Sequence, residues 1–181
     1  MSFSEINNSR SGQSLVEALI AVSVVMMGLM GALSLLSNSI GLSRTVADNY
    51  LGTYLATEGI EVIKNTLDHN AILISEGMPG VSWNDDICTF ANSAFELDYR
   101  TKDLSAARLN GFAAFSINPL VLNTATNAYG YDLPGTSTGF TRTVKTSCSG
   151  DEIKVQSIVR WKARGGSDSQ VILEDKFYNW R

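Results

Sequence analysis

A single acidic residue, Glu17, lies near the start of a long apolar stretch, "SLVEALIAVSVVMMGLMGALSLL" (residues 14–36). From Ala18 to Leu36 the stretch carries no charge. Its length falls in the range of about 17–25 residues that spans a bilayer as a helix. Because an unpaired carboxylate is costly in lipid, Glu17 either reaches toward the headgroups or meets a positive charge inside an assembly of helices. Glu17 is therefore the first candidate for a functional residue.

The chain contains two cysteines, Cys88 and Cys148. If the chain is exported, we expect them to form one disulfide. That bond would close a loop of roughly 60 residues and contribute on the order of 4 kcal/mol to stability. The alternative is a pair of unpaired, buried thiols.

The remaining polar residues do not form a catalytic pattern. His69 is the only histidine, and we expect it in solvent or near the C-terminus of a helix. Asp85 and Asp86 fit a solvated turn better than a calcium loop, because no series of oxygen ligands follows them. The sequence has no nucleophile elbow, phosphate-binding loop, zinc-binding histidine pair or paired CxxC motif. We therefore predict a protein that is not an enzyme and binds neither a metal nor a cofactor.

Charge and composition limit the partners and the compartment. The 181 residues include 14 Lys and Arg and 18 Asp and Glu, for a net charge of −4. The basic residues are scattered, which argues against nucleic acid as the main partner.

Arg10 precedes the apolar stretch and the next basic residue is Arg44, so the positive-inside rule places the N-terminus in the cytoplasm. The apolar stretch is longer than the ~7–15 residues of a secretory signal peptide.

The elements that position these residues begin with one long helix, predicted from about Ser14 to about Leu67. Its first half is apolar on all sides, which indicates lipid or a helix bundle. Its second half, residues 37–68, is amphipathic. We expect the glycines in the helix to let other backbones approach closely, as small residues do in membrane helix packing. These glycines are Gly28, Gly31, Gly41, Gly52 and Gly59.

The rest of the chain, residues 69–181, reads as a β-rich head. Residues 140–180 contain three segments that alternate with a period of two, and this alternation predicts an antiparallel meander with one face free to cover the helix. In the first segment Arg142 alternates with Val144 and Thr146. The predicted fold class is therefore α+β, with a long N-terminal helix packed on a C-terminal antiparallel sheet. The variable middle, residues 70–139, is predicted to hold shorter strands at 94–99, 112–117, 119–123 and 128–132.

The segment "SGQSLVEALIAV" resembles the processing site of type IV prepilins and pseudopilins. The resemblance implies cleavage by a prepilin peptidase after Gly12 and N-methylation of the new terminus, Gln13. It also implies that Glu17, at the fifth position after the cut, acts in assembly. The first mature residue of the family is most often aromatic, whereas this chain has Gln13. Two further segments, "LATEGIEVIKN" at 55–65 and "VRWKARGG" with "VILEDKFYNWR" at 159–181, resemble minor pilins of the pilus-modification type.

The resemblance implies a pilin-like fold and an order of segments. Residues 1–12 are the leader, 13–36 the transmembrane and filament-core helix, 37–68 its amphipathic half and 69–181 the extracellular head. The positive charge that Glu17 meets is the α-amino group of a subunit, with a neighbour's Gln13 as the candidate. The implied partners are the prepilin peptidase, other pilin subunits and the pilus or secretion assembly platform with its ATPase. The chain would be a single-pass inner-membrane precursor before it becomes part of an extracellular filament.

The functional hypothesis from the sequence is a structural subunit of a type IV pilus or related filament, of the minor-pilin kind. A pseudopilin of a type II secretion-like system is the closest alternative. A membrane-anchored, exported binding or adhesin domain that does not assemble is the alternative from another class. An anchored exported enzyme is disfavoured, because no catalytic set is present.

Overall fold

The computed structural model describes residues 11–89 and 92–179. Helix α1 (Ser11–Ser75) is followed by six strands: β1 (Ser93–Phe95), β2 (Pro119–Asn123), β3 (Ala128–Gly130), β4 (Thr136–Ser149), β5 (Glu152–Lys162) and β6 (Asp168–Tyr178). The predicted α+β layout, a long apolar N-terminal helix and an antiparallel sheet, is confirmed. Residues 1–10 of the predicted leader lie outside the described residues, as do the last two residues of the chain.

The chain divides into two compact units, and helix α1 contributes to both. The first unit ends at Arg44, and the second comprises Thr45–Arg181. Within the first unit the described residues are all helical. The predicted division into a leader, a membrane half, an amphipathic half and a head stays a prediction.

Helix α1 continues past its predicted end at residue 68 to Ser75. Residues 71–75 are apolar enough to continue the helix. The helix is ended by Gly77 rather than by Pro79 and Gly80, which follow it. Gly77 has a φ of 78°, a left-handed conformation that glycine adopts without steric cost. The N–H of Met78 then donates to the carbonyl of Leu73 at 3.1 Å, which is the hydrogen bond of a Schellman cap.

The sheet has the strand order β3-β2-β4-β5-β6, and β1 also pairs with β4. Strands β4, β5 and β6 form the predicted antiparallel meander, with Val144 opposite Ser157 and Ser157 opposite Leu173. Strand β4 begins at Thr136, earlier than predicted, because its first residues pair with β2 through Val121 and Ser137. Residues 136–139 therefore belong to the strand.

The core of the second unit lies between α1 and the faces of β4 and β5. Leu55 and Ile63 of the helix are completely buried, as are Val144, Val155 and Val159 of the sheet. These residues belong to two hydrophobic clusters. The predicted inward face of β5 is confirmed, because its residues are buried at every second position: Ile153, Val155, Ser157, Val159 and Trp161.

The helix approaches the sheet most closely at two glycines. A Cβ atom at Gly59 would lie 2.5 Å from Ser157 Oγ and 2.9 Å from Val144 Cγ2. A Cβ atom at Gly52 would lie 2.9 Å from the Trp161 ring. The atoms that lie against these two glycines belong to side chains of the chain's own sheet, so the prediction that helix glycines admit another backbone stays a prediction.

The segment 112–117, predicted as a strand, is not one. It lies over the outer face of the sheet, where the Phe115 ring centroid is 3.9 Å from Lys145 Nζ and 3.4 Å from Arg160 Cζ. Cation–π contacts of this kind hold a segment by its side chains, without a ladder of backbone hydrogen bonds. The predicted strand at 94–99 is also shorter, because only Ser93–Phe95 pairs with β4.

Candidate assembly site

Glu17 lies on α1 one helical turn after Gln13, and both residues are exposed. Residues at this spacing share one helix face. No ion pair to Glu17 forms within the described residues. Among the described residues, the Glu17 carboxylate therefore has no partner of opposite charge.

The helix around Glu17 presents apolar side chains on every side. Near the N-terminus α1 is long and apolar enough to cross a membrane, and none of its most apolar window is buried in the chain. The exposed large side chains there include Leu15, Leu19, Ile20, Val25, Met27, Leu29, Met30 and Leu33. An apolar surface of this extent has to be covered by lipid or by other apolar helices. The first unit thus has the surface of a membrane anchor or of a buried helix in an assembly.

Two glycines in the same segment, Gly28 and Gly31, contrast with Gly52 and Gly59. A Cβ atom at Gly28 or Gly31 would meet nothing within 4 Å. These two positions therefore face no other described residue of the chain. Their predicted role in packing against another helix stays a prediction.

Arg142 on β4 fastens the second part of α1 to the sheet. Its side chain is completely buried, and its Nη1 lies 3.0 Å from Glu58 Oε2 and 2.9 Å from the carbonyl oxygen of Leu55. Its Nε donates to the carbonyl of Leu97 at 3.1 Å, and its Nη2 donates to the same oxygen. A buried charge is tolerated only when its donors are satisfied and its charge is paired, and Arg142 meets both conditions through the helix and the loop after β1.

Tyr131 adds a hydrogen bond to the same strand. Its hydroxyl donates to the carbonyl oxygen of Arg142 at 3.0 Å. Burial raises the pKa of Tyr131 to about 12, because the charged phenolate would lose its hydration. The Tyr131 hydroxyl is therefore neutral in the folded protein.

Asp98 organises the loop that supplies the Leu97 carbonyl. Burial alone would raise the pKa of Asp98, but the backbone N–H groups of Tyr131 and Arg100 donate to its carboxylate and lower the pKa overall. The Arg100 guanidinium lies 3.2 Å from Asp98 Oδ2. The carboxylate thus stays charged and holds the loop in place beside Tyr131.

Sequence reasoning did not identify Arg142 as a residue that connects elements. The signal was present, because Arg142 alternates with Val144 and Thr146 and so had to lie on the inward face of β4. Glu58 offered no matching signal, since it is 84 positions away in the sequence. Only the packing of the helix on the sheet brings the two residues together.

The predicted disulfide is confirmed. Cys88 and Cys148 are bonded, with a Cα–Cα distance of 5.9 Å and a sequence separation of 60. The bond joins the loop after α1 to the end of β4, beside the completely buried Ile87 and Ile153. It pins the variable middle of the chain to the meander.

His69 lies on α1, and Asp85 and Asp86 lie in the loop that follows the helix. His69 is exposed on α1 ahead of the helix end, which is at Ser75 rather than beside the histidine as expected. Asp85 Oδ2 accepts a hydrogen bond from the N–H of Ser82 at 2.7 Å, and Asp86 has a φ of 64°. Within residues 11–89 and 92–179, no group of three or more His, Cys, Asp and Glu side chains could hold a metal ion.

Comparison with known proteins identifies no relative of this chain. No protein-family model, no curated protein and no solved structure matches the chain.

Proposed function

We propose that this chain is a structural subunit of a type IV pilin-like filament, of the minor-pilin kind. One observation carries the proposal: Glu17 follows Gly12 by five positions and stands at the start of an apolar helix whose most apolar window is not buried by any described residue. A helix of this kind needs lipid or other helices around it. A carboxylate in that setting needs a partner charge.

Processing after Gly12 would supply that charge as the α-amino group of Gln13. In the membrane, Glu17 lies close to the headgroup region. In the filament, its carboxylate pairs with the amino group of a neighbouring subunit. A subunit that docks in the wrong axial position leaves Glu17 buried and unpaired, which is strongly unfavourable. The pair thereby selects the register, as single buried polar residues do in coiled coils.

The head supports the same function through its attachment to the helix. The Arg142–Glu58 pair and the close approaches at Gly52 and Gly59 hold the sheet on the second part of α1. The disulfide between Cys88 and Cys148 fits a compartment outside the cytoplasm, where such bonds persist. A helix that assembles and a head that it displays are the two parts a filament subunit requires.

The mature N-terminus is the direct test of this proposal. The full-length chain is produced in a bacterium that has a prepilin peptidase, and its N-terminal peptide is identified by mass spectrometry. We expect the peptide to begin at Gln13, with or without the added mass of one methyl group. A Gly12→Val variant should retain the leader. A peptide that begins at Met1, or one produced by cleavage after residue 36, would overturn the proposal.

The role of Glu17 is tested separately. Glu17→Gln should leave membrane insertion and the disulfide intact, because Glu17 makes no ion pair with the described residues of its own chain. Incorporation into sheared filaments should fall several-fold, measured by immunoblot against the membrane fraction. Glu76→Gln is the matched control, since Glu76 is an exposed carboxylate just beyond the helix. Equal incorporation of both variants would contradict the role of Glu17.

The closest rival is a pseudopilin of a type II secretion-like system, which shares the processing motif. The same N-terminal peptide is expected for it. Co-purification of the wild-type chain with a secretion complex, and its absence from surface filaments, would select the pseudopilin. An anchored binding domain that does not assemble would instead retain its leader.

A further inference from the structure

Cleavage after Gly12 would leave a glutamine, Gln13, at the new N-terminus, and glutamine has a reaction of its own at that position. Gln13 is exposed on α1. As a terminal residue it holds a free α-amine and a side-chain amide carbonyl within reach of each other. Because both reacting groups belong to one residue, their reaction is unimolecular and is favoured by proximity.

The reaction is a ring closure that needs neither an oxidant nor a second substrate. An α-amino group is partly unprotonated at neutral pH, so it has a lone pair that can attack the side-chain amide carbon, Cδ, of Gln13. A C–N bond forms to the α-nitrogen, the C–N bond to the side-chain nitrogen breaks, and that nitrogen takes the amine proton and leaves as ammonia. The product is a γ-lactam, a pyroglutamyl terminus. It keeps one N–H donor but carries no positive charge.

The loss of this charge matters because Glu17 has no substitute for it on its own chain. From Gln13 to Ser43 the sequence contains no Lys, Arg or His. Arg44, the first basic residue, lies roughly 40 Å from Glu17 along the axis of α1, at a rise of about 1.5 Å per residue. A carboxylate in an apolar setting is tolerated only when its charge is paired. A cyclised terminus therefore removes the one positive charge that the chain can offer to Glu17 of a neighbour.

We propose that Gln13 is a modification site at which cyclisation to pyroglutamate withdraws the subunit from assembly. The inference rests on the proposed function, because it requires cleavage after Gly12. A terminus that keeps its amine, methylated or not, can pair with Glu17, whereas a cyclised terminus cannot. An aromatic first residue, the commonest one among the prepilins that this segment resembles, has no carboxamide and cannot close the ring. The glutamine thus gives this chain a chemical route out of the assembling pool.

Mass spectrometry of the N-terminal peptide in two fractions tests this proposal. The full-length chain is produced in a bacterium that has a prepilin peptidase, and sheared filaments are separated from the membranes. Both fractions are dissolved in denaturant and acetylated at once, which blocks every remaining amine before digestion. We expect a membrane peptide that begins at residue 13 and is lighter by one ammonia. Its share among the cleaved chains should be several-fold lower in the filaments than in the membranes.

Two controls separate the proposed reaction from artefacts. An isotope-labelled synthetic peptide with the sequence that starts at Gln13 is added before acetylation, and it should stay uncyclised through the preparation. Gln13→Met is the matched variant, because methionine has a similar length but no carbonyl that the amine can attack. This variant should show no loss of ammonia. Its filament share, counted per cleaved chain, should rise by about the fraction that is cyclised in the wild type.

The outcomes distinguish this inference from the proposed function. A terminus at Gln13 that has lost no ammonia in either fraction would overturn the inference and leave the filament function in place. So would equal shares of the cyclised form in filaments and membranes, or cyclisation of the synthetic peptide to the same extent as the sample. An unchanged filament share in Gln13→Met would also overturn it if the wild type is cyclised. A peptide that begins at Met1 would reject the proposed function and the inference together.

Discussion

Arg142 on β4 and Glu58 on α1 form an ion pair with an Nη1–Oε2 distance of 3.0 Å, and the Arg142 side chain is completely buried while that of Glu58 is 18% exposed. Arg142 also donates to the backbone carbonyls of Leu55 and Leu97. One guanidinium thus joins the helix, the sheet and the loop after β1. The attachment of the head to the helix depends on this single side chain more than on any other polar group described above.

The Arg142–Glu58 pair predicts a graded loss of stability. Arg142→Ala should lower the free energy of unfolding of the head by about 3–5 kcal/mol, the cost of breaking a buried pair. Glu58→Gln should cost about 1–3 kcal/mol, because the hydrogen bond can remain while the charge is lost. Urea unfolding of the full chain in detergent micelles, followed by near-ultraviolet circular dichroism, measures both. Glu174→Gln is the control, since its pair with Lys154 is exposed on both sides, and it should leave the free energy of unfolding close to the wild-type value.

The two kinds of helix glycine should respond differently to alanine. Gly59→Ala places a Cβ atom 2.5 Å from Ser157 Oγ, and overpacking of this kind costs about 1–3 kcal/mol. A Cβ atom at Gly31 would meet no described residue within 4 Å, so Gly31→Ala should not destabilise the head. If a neighbouring helix packs at Gly31, the same change should reduce filament incorporation. Thermal melts of the head and filament yields separate the two effects, and a destabilised head in Gly31→Ala would contradict this reading.

Removal of the disulfide should destabilise the head through the unfolded chain. The Cys88–Cys148 bond has a sequence separation of 60, and opening a loop of that length costs on the order of 4 kcal/mol in the loop-entropy model. The double variant Cys88→Ser with Cys148→Ser should show this loss in urea unfolding. Treatment of the wild-type head with a reductant should reproduce it. An unchanged unfolding midpoint in the double variant would show that the bond does not constrain the loop.

Tyr131 predicts a loss of stability at high pH. Its folded-state pKa is raised to about 12, above the value near 10 of an exposed tyrosine. A raised pKa means that the contribution of Tyr131 is fully present below about pH 10. That contribution is lost as the pH rises toward 12. Ultraviolet titration should show one of the six tyrosines ionising last, and that step should disappear in Tyr131→Phe. Tyr99→Phe should leave the last step in place, and its disappearance there would contradict the assignment.

Several features of this protein follow from the sequence by itself, because they depend on local periodicity. The uncharged run from Ala18 to Leu36 requires a helix in an apolar medium. The alternation in residues 140–180 requires strands with one buried face. The pairing of Cys88 with Cys148 was favoured once export was expected, since no other cysteine competes. For the helix and the strands, the transfer of apolar side chains from water decides the outcome, and the spacing of those side chains is visible along the chain. For the disulfide, the presence of only two cysteines decides it.

The tertiary structure decided the features that depend on residues far apart in the sequence. Arg142 finds Glu58 across 84 positions, and Gly59 has its role only because Ser157 lies against it. Residues 112–117 have the composition of a strand, yet Phe115 packs between Lys145 and Arg160 instead of joining the ladder. These outcomes depend on which surfaces pack together. A buried ion pair or a cation–π contact between distant elements produces no periodic pattern in the sequence, so sequence periodicity cannot predict it.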